Sequence, residues 1–255
     1  MKKLLALMLA LLMVFAFCGC GEEAVEENTE VVEETKALVM GTNAAFPPYE
    51  MVDENGAIIG IDAEIAAAIA EKMGMTLEIK DMAFDSLITA VSSGAVDVVL
   101  AGMTVTEERM EAVNFSDSYA TGIQVVIVTE DSEIATIEDL AGKKIGVQTG
   151  TTGDIYCSGD YGEEAIARYD NGAIAVQALQ NGQVDCVVID NEPAKAFVVA
   201  NEGLKILETE YAVENYAAAI AKENTELLDA FNAALAELQA DGTIDAIIGK
   251  YIKAE

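Results

Sequence analysis

From Leu38 onward the chain alternates short apolar runs with segments whose apolar residues recur at helical spacing, and this alternation restricts the fold more than any other feature. Leu38-Val39-Met40 reads as a strand that runs into Gly41-Thr42-Asn43. Ile61, Ile65, Ala68, Ile69 and Met73 share one helical face, and Phe84, Leu87, Ile88 and Val91 repeat the stripe. Val96 to Leu100 reads as a buried parallel strand. Strand following helix in this way predicts an α/β fold.

A weak internal repeat sharpens the prediction. Gly94 to Gly102 (GAVDVVLAG) aligns with Gly182 to Asp190 (GQVDCVVID), and each copy begins with a glycine suited to a helix C-terminus. The strand before Asn43 has its counterpart in Lys144-Ile145-Gly146-Val147, before Gln148-Thr149-Gly150-Thr151-Thr152. Generic strand-helix patterning also produces such pairs, so the repeat by itself leaves both readings open. Taken as real, it predicts two related units. In open α/β sheets ligands bind beyond the carboxyl ends of strands. Those ends are Asn43 and Gly102 in one unit, Gln148 and Asp190 in the other. Two closing helices are expected at about Thr225–Gln239 and Thr243–Tyr251, with Asn224 or Thr225 as the first cap and Asp241-Gly242 as the turn.

Charge and missing residue types exclude several functions. The formal charge is −31 over 255 residues. No nucleic-acid partner is expected, because phosphate binding rests on Lys and Arg. The chain has no His, which removes Ser-His-Asp and Cys-His catalysis and His-containing zinc sites. No catalytic residue, metal or cofactor is assigned.

The N-terminus reads as an export signal. Lys2 and Lys3 precede the apolar stretch Leu4–Phe17, too short for an ordinary membrane span. Phe17-Cys18-Gly19-Cys20-Gly21 resembles a bacterial lipobox, with Cys20 as the lipidated residue after a signal peptide at 1–19. Residues 20–36 form an acidic tether, with seven carboxylates and no base between Glu22 and Thr35. Export permits a disulfide between Cys157 and Cys186, but spacing cannot establish it, and two buried thiols are the expectation.

Several segments together are familiar: GTNAAFPPYE (41–50), GIDAEI (60–65), AGMTVTEER (101–109), NFSDSY (114–119), GVQTGTT (146–152) and Ile189-Asp190. In this order they resemble the family 3 solute-binding proteins of polar amino-acid ABC importers, from about Leu38 to Ala254. The resemblance implies the periplasmic-binding-protein type 2 fold. Lobe 1 would comprise 37–118 and 217–255 and lobe 2 would comprise 123–212. Hinge strands at 119–122 and 213–216 would allow closure around ligand. Ala63 and Asn43 depart from the family pattern, which more often has a larger residue and an aspartate there.

The resemblance also implies a site. A free L-amino acid, polar or cationic, brings a carboxylate and an ammonium, and neither can be buried unpaired. Arg109 would grip the carboxylate with two parallel bonds, helped by backbone N–H groups of Thr104 and Thr152. Asp190 and the Gly102 carbonyl would hold the ammonium. Phe46 and Phe84 would sandwich the side chain. Asn43, Gln148 and Asp85 would surround its far end, with Tyr49 and Glu50 as lesser candidates. From periodicity alone Arg109 reads rather as a helix-surface cation paired with Glu107 or Glu108, and a helix cap before Asn191-Glu192-Pro193 is the alternative for Asp190. Asp62 is expected to cap the helix that follows it, and Asp97 to make a strand or turn contact.

The function implied is an extracytoplasmic receptor. It would be a monomer held to the membrane by its lipid, passing an amino acid to ABC permease subunits. One alternative is a cyclohexadienyl dehydratase-like enzyme on the same fold, which prephenate or arogenate turnover would reveal. A second is a sensory module acting through a separate partner.

Overall fold

A computed structural model describes residues 36–207 and 210–253. The export signal, Cys20 and the tether as far as Thr35 lie outside the described residues. The first half builds β1 (Ala37–Thr42), then a small antiparallel sheet of β2 (Ala45–Phe46), β3 (Glu50–Val52) and β4 (Ile58–Ile59). It continues through α1 (Ile61–Lys72), β5 (Thr76–Asp81), α2 (Leu87–Ser92), β6 (Val98–Val99) and α3 (Glu107–Ala112) into the long β7 (Val113–Thr129). The second half builds β8 (Ile145–Gln148), α4 (Thr152–Tyr161), β9 (Ile166–Tyr169), α5 (Gly172–Gln180), β10 (Cys186–Asp190) and α6 (Asn191–Ala200). It ends with β11 (Leu204–Ile206), β12 (Ala212–Ala221), α7 (Thr225–Ala240) and α8 (Thr243–Tyr251).

The main sheet runs in the order β5-β1-β6-β12-β7-β10-β8-β9, with β11 paired to β7. On one side β5, β1 and β6 are parallel, and on the other β10, β8 and β9 are parallel. The antiparallel pair β7–β12 joins the two groups, with register shifts around Ala217. The chain therefore crosses between the groups on two adjacent strands.

The repeat is a real structural equivalence. Val98 and Val99 pair with Met40 and Gly41, as Cys186 and Val187 pair with Ile145 and Gly146. Asp97 accepts the Val39 N–H at 2.9 Å through Oδ2, and Asp185 accepts the Lys144 N–H at 2.7 Å in the same way. Gly94 and Gly182 both adopt left-handed φ, of 75° and 66°. Each copy thus uses one aspartate to lock a strand to its neighbour, which is the contact expected of Asp97. Asn43 and Gln148 occupy equivalent positions, as do Gly102 and Asp190.

Helices α1, α7 and α8 pack together beside the first group. Ile61, Ile65 and Ile69 of α1 are fully buried, as are Phe231 and Leu235 of α7. Each such side chain contributes about 1.5–3 kcal/mol of transfer free energy. Asn224 caps α7, accepting the Leu227 N–H at 3.3 Å. A separate apolar cluster containing Cys157 and Cys186 lies under the second group. Both cysteines are free and buried, and burial raises each thiol to about 12.

Two local expectations are corrected. The strand expected over Val96–Leu100 shrinks to Val98–Val99, because the Asp97 side chain and the turn at Gly102 claim its ends. Asp62 does not cap α1. Gly60 occupies the cap position, and Asp62 points inward, accepting the Gly102 N–H at 2.7 Å and the Tyr119 hydroxyl at 2.8 Å. Among the described residues no helix is long and apolar enough to cross a membrane.

Candidate functional site: a charged cavity at the strand ends

The carboxyl ends of β1, β6, β8 and β10 converge on one cavity. Asn43, Phe46, Phe84, Gly102, Thr104, Arg109, Gln148, Thr152 and Asp190 all line it, together with Glu50, Ala101 and Thr151. About 300 Å³ lies between these side chains, counting the part open to solvent. Asp85 does not line this cavity. It faces a neighbouring groove beside Ile88 and Gly150, which Phe84 and Arg109 also line.

Arg109 is drawn inward rather than paired on the surface. Thr106 caps α3 by accepting the Arg109 N–H at 3.1 Å. Arg109 as a whole is 8% exposed, and its guanidinium donates to the Thr104 carbonyl at 2.7 Å and the Gly150 carbonyl at 3.1 Å. It also lies 5.4 Å from the Phe84 ring centroid, within cation–π range. Burial lowers the Arg109 pKa, opposed chiefly by the charge of Glu214. A buried cation held by carbonyls alone keeps a strong affinity for an anion.

Asp190 begins α6, but its side chain makes no cap bond. It accepts instead from the Tyr216 hydroxyl and from Gln124 Nε2, the latter at 2.7 Å. Burial raises it to about 7, and the charge of Glu214 adds to the rise. Gly122 makes this arrangement possible. A Cβ there would stand 2.2 Å from the Tyr216 hydroxyl and 2.5 Å from Asp190 Oδ1. Gly102 is constrained in the same sense, since its φ is +52° and a Cβ would approach Phe46 to 2.9 Å.

At the far end, Gln148 Nε2 donates to Asn43 Oδ1 at 3.0 Å, while Asn43 Nδ2 donates to the Met82 carbonyl at 2.9 Å. The two pseudo-equivalent amides thus meet across the cavity. Thr152 is the first residue of α4, with Thr151 as its cap. Helix N-termini favour anions, so Thr152 and Arg109 bring two anion-attracting features to one place.

The sequence from residue 38 to 254 matches the family described as bacterial extracellular solute-binding proteins, family 3. The chain belongs to that family. This solute-binding protein is 35% identical to the arginine-binding extracellular protein ArtP of Bacillus subtilis, with all of both chains covered. An ancestral arginine-binding protein has been solved bound to arginine and bound to glutamine. The glutamine-bound structure is 44% identical, with a TM-score of 0.81, covering 86% of this chain and 98% of that one. The arginine-, lysine-, histidine-binding protein ArtJ of Geobacillus stearothermophilus is 33% identical, with a TM-score of 0.82 over 86% of this chain and 96% of its own. The type 2 periplasmic-binding-protein fold expected from the motifs is therefore present.

Four buried acids stand in or against the cavity lining of this solute-binding protein: Glu50 and Asp190 line it, and Asp62 and Glu214 accept hydrogen bonds from its lining residues Gly102, Thr104 and Thr152. Glu50 is fully buried, and both its carboxylate oxygens lack a hydrogen-bond donor. Burial first, and then the neighbouring Asp62 carboxylate, hold Glu50 protonated well above the usual range. Burial also raises Asp62, to about 6. Glu214 is the fourth acid, reached through Gln124. Nothing in the sequence separates Glu214 from the other 44 acidic residues. Gln124 carries a faint signal as the one amide in the apolar run Gly122–Val128.

Proposed function

We propose that this protein is an extracytoplasmic receptor that binds one free L-amino acid in the charged cavity and delivers it to an ABC importer. The observation that carries this reading is the pair Arg109 and Asp190, opposite charges buried on α3 and at the end of β10 and lining one cavity. Arg109, with Thr104 and Thr152, would take the α-carboxylate. Asp190 and the Gly102 carbonyl would take the α-ammonium. Phe46 and Phe84 would hold the side chain, and Asn43 and Gln148 its end. Each buried ligand charge then has a partner, as burial demands.

A cationic side chain fits this cavity better than a neutral one. Arg109 is the one base among the described residues lining the cavity, against Glu50 and Asp190 in the lining and Asp62 and Glu214 hydrogen-bonded to it, so acids outnumber bases even with Glu50 protonated. A net positive ligand offsets that excess, whereas a zwitterion leaves it unchanged. The names of the relatives point the same way, although the ancestral protein accepts glutamine too.

The units would act as lobes, 37–118 with 217–255 and 123–212, hinged at 119–122 and 213–216. Ligand bridging Arg109 and Asp190 would favour the closed form, the one a permease would recognise. The receptor would be a monomer held outside the membrane by lipid on Cys20. Mass spectrometry of the mature protein is expected to find diacylglycerol on Cys20, and an unmodified N-terminus further downstream would count against the anchor.

A thermal-shift screen of the proteinogenic amino acids with ornithine and citrulline tests the central reading, since bound ligand raises the melting temperature by mass action. Arginine, lysine and ornithine are expected to give the largest shifts, with glutamine and citrulline behind them. If no amino acid shifts the transition, the receptor reading fails. If only neutral ones do, the cationic preference fails.

A further inference from the structure

Glu214 stands where a carboxylate is least expected. It lies on β12 opposite Gly122 of β7, and it is 4% exposed. Its Oε2 accepts the Thr152 hydroxyl at 2.9 Å, Gln124 Nε2 at 3.0 Å and the Thr104 hydroxyl at 3.1 Å. Its Oε1 has no hydrogen-bond partner among the described residues. Among the described residues it forms no ion pair with Arg109 within 4 Å, yet its charge is the main one stabilising the guanidinium.

Arg109 and the backbone N–H groups of Thr104 and Thr152 are the groups assigned above to the ligand's carboxylate. The hydroxyls of the same threonines lie beside that seat, and each has one proton to donate. Both protons go to Glu214, so neither hydroxyl can add its bond to that of the N–H. A second carboxylate entering beside Glu214 would also meet like-charge repulsion, in a buried site where screening is weak. Gln124 cannot relieve this. Its amide has two protons, and its nitrogen lies within 3.3 Å of Thr152 Oγ1, Asp190 Oδ2 and Glu214 Oε2. It ties the two acids to one another without neutralising either.

We propose that Glu214 is an internal competitor for the carboxylate seat, weakening the hold of Arg109, Thr104 and Thr152 on the ligand's α-carboxylate. The inference rests on the reading of Arg109 as the carboxylate anchor. Its consequence is functional. A receptor that must surrender its cargo gains from a counterweight inside its own site, because affinity differences among variants of one site fall mostly on the dissociation rate. Glu214 also belongs to one of the two strands that cross between the units. Its three bonds join β12 to the Thr104 loop, to α4 and to β7, so the counterweight is held by elements from both units.

A purely structural role would make Glu214 only an acceptor for buried hydroxyls. Glu214→Gln separates the two, keeping a carbonyl oxygen and nearly the same volume while removing the charge. The experiment measures binding of L-arginine and of agmatine, which lacks the carboxylate, by calorimetry and stopped-flow. The expected result in Glu214→Gln is arginine affinity raised about tenfold, equivalent to about 1.4 kcal/mol, mainly through slower release. Agmatine affinity should stay within about twofold, equivalent to about 0.4 kcal/mol, because it brings no carboxylate to the seat. Arginine affinity that is unchanged or lower would overturn the competitor role. So would equal tightening of both ligands. If Glu214→Gln melts before it can be titrated, Glu214→Ala carries the same expectation and the same refutation. Unsubstituted protein that does not prefer arginine to agmatine would overturn the carboxylate-anchor reading, and the inference with it. A clear preference without tightening in Glu214→Gln would overturn the inference alone.

Discussion

Replacing Arg109 with alanine is expected to abolish measurable amino-acid binding while the fold persists. The guanidinium is buried and both its described bonds go to carbonyl oxygens, at Thr104 and Gly150. A ligand carboxylate brought to the same place in the variant would lose its only formal positive partner and face Glu214 uncompensated. Removing one member of a buried ion pair costs about 3–5 kcal/mol, or a loss of affinity of roughly two to nearly four orders of magnitude. The fold should survive, because Thr106 caps α3 independently and the core clusters do not include Arg109. Arg109→Lys keeps the charge but not the planar fork, and should fall between the two. Calorimetry with a circular-dichroism melt decides the matter. Undiminished affinity in a folded Arg109→Ala protein would remove Arg109 from the site.

Asp190→Asn should cost binding on a similar scale, and it should also erase a pH dependence. Burial raises Asp190 to about 7 in the free protein. A ligand ammonium favours its charged form, so binding below that value must first expel a proton. Affinity in the unsubstituted protein is therefore expected to fall as pH drops from about 8 to about 5, approaching tenfold per pH unit below about 7. The groups facing Asp190 are Tyr216, Gln124, Glu214 and Tyr49, and burial keeps both tyrosines neutral throughout this range. In Asp190→Asn the slope should flatten. A slope that survives the substitution would assign it to Glu50 and Asp62 instead.

Stability should move the opposite way. Asp190, Asp62 and Glu50 all have folded-state pKa values raised above those of the unfolded chain. The contribution of Asp62 and Asp190 is complete below about pH 4 and is lost as pH rises through about 6 to 7, and Glu50 acts in the same direction. Mild acid should thus raise the melting temperature of the free protein while shrinking the shift produced by arginine. The large negative charge of the chain adds to the first effect, since protonation relieves self-repulsion.

Much of this site was legible because it sits at strand ends, and strand ends leave a sequence signature. Asn43, Gly102, Gln148 and Asp190 each follow an apolar run, and the repeat placed them in matching pairs. Their structural partners carried no such mark. Asp62 occupies a helix-start position in the sequence, where capping is the ordinary reading. Its inward turn depends on the Gly102 N–H and the Tyr119 hydroxyl, 40 and 57 residues away.

What the sequence by itself determined was the α/β alternation, the internal repeat, the motif order that marks the family and the strand-end residues that line the cavity. These are local or periodic properties, set by which side chains suit a strand, a helix cap or a left-handed turn. The tertiary structure alone decided the electrostatic character of the site. Glu50 and Asp62 come from one segment, Asp190 and Glu214 from others far along the chain, and their charges matter only because folding removes them from water and gathers them at one cavity. Burial and proximity across long separations have no periodicity to read. For that reason Glu214, one acid among 45, became visible only once Thr104, Gln124 and Thr152 were seen to converge on it.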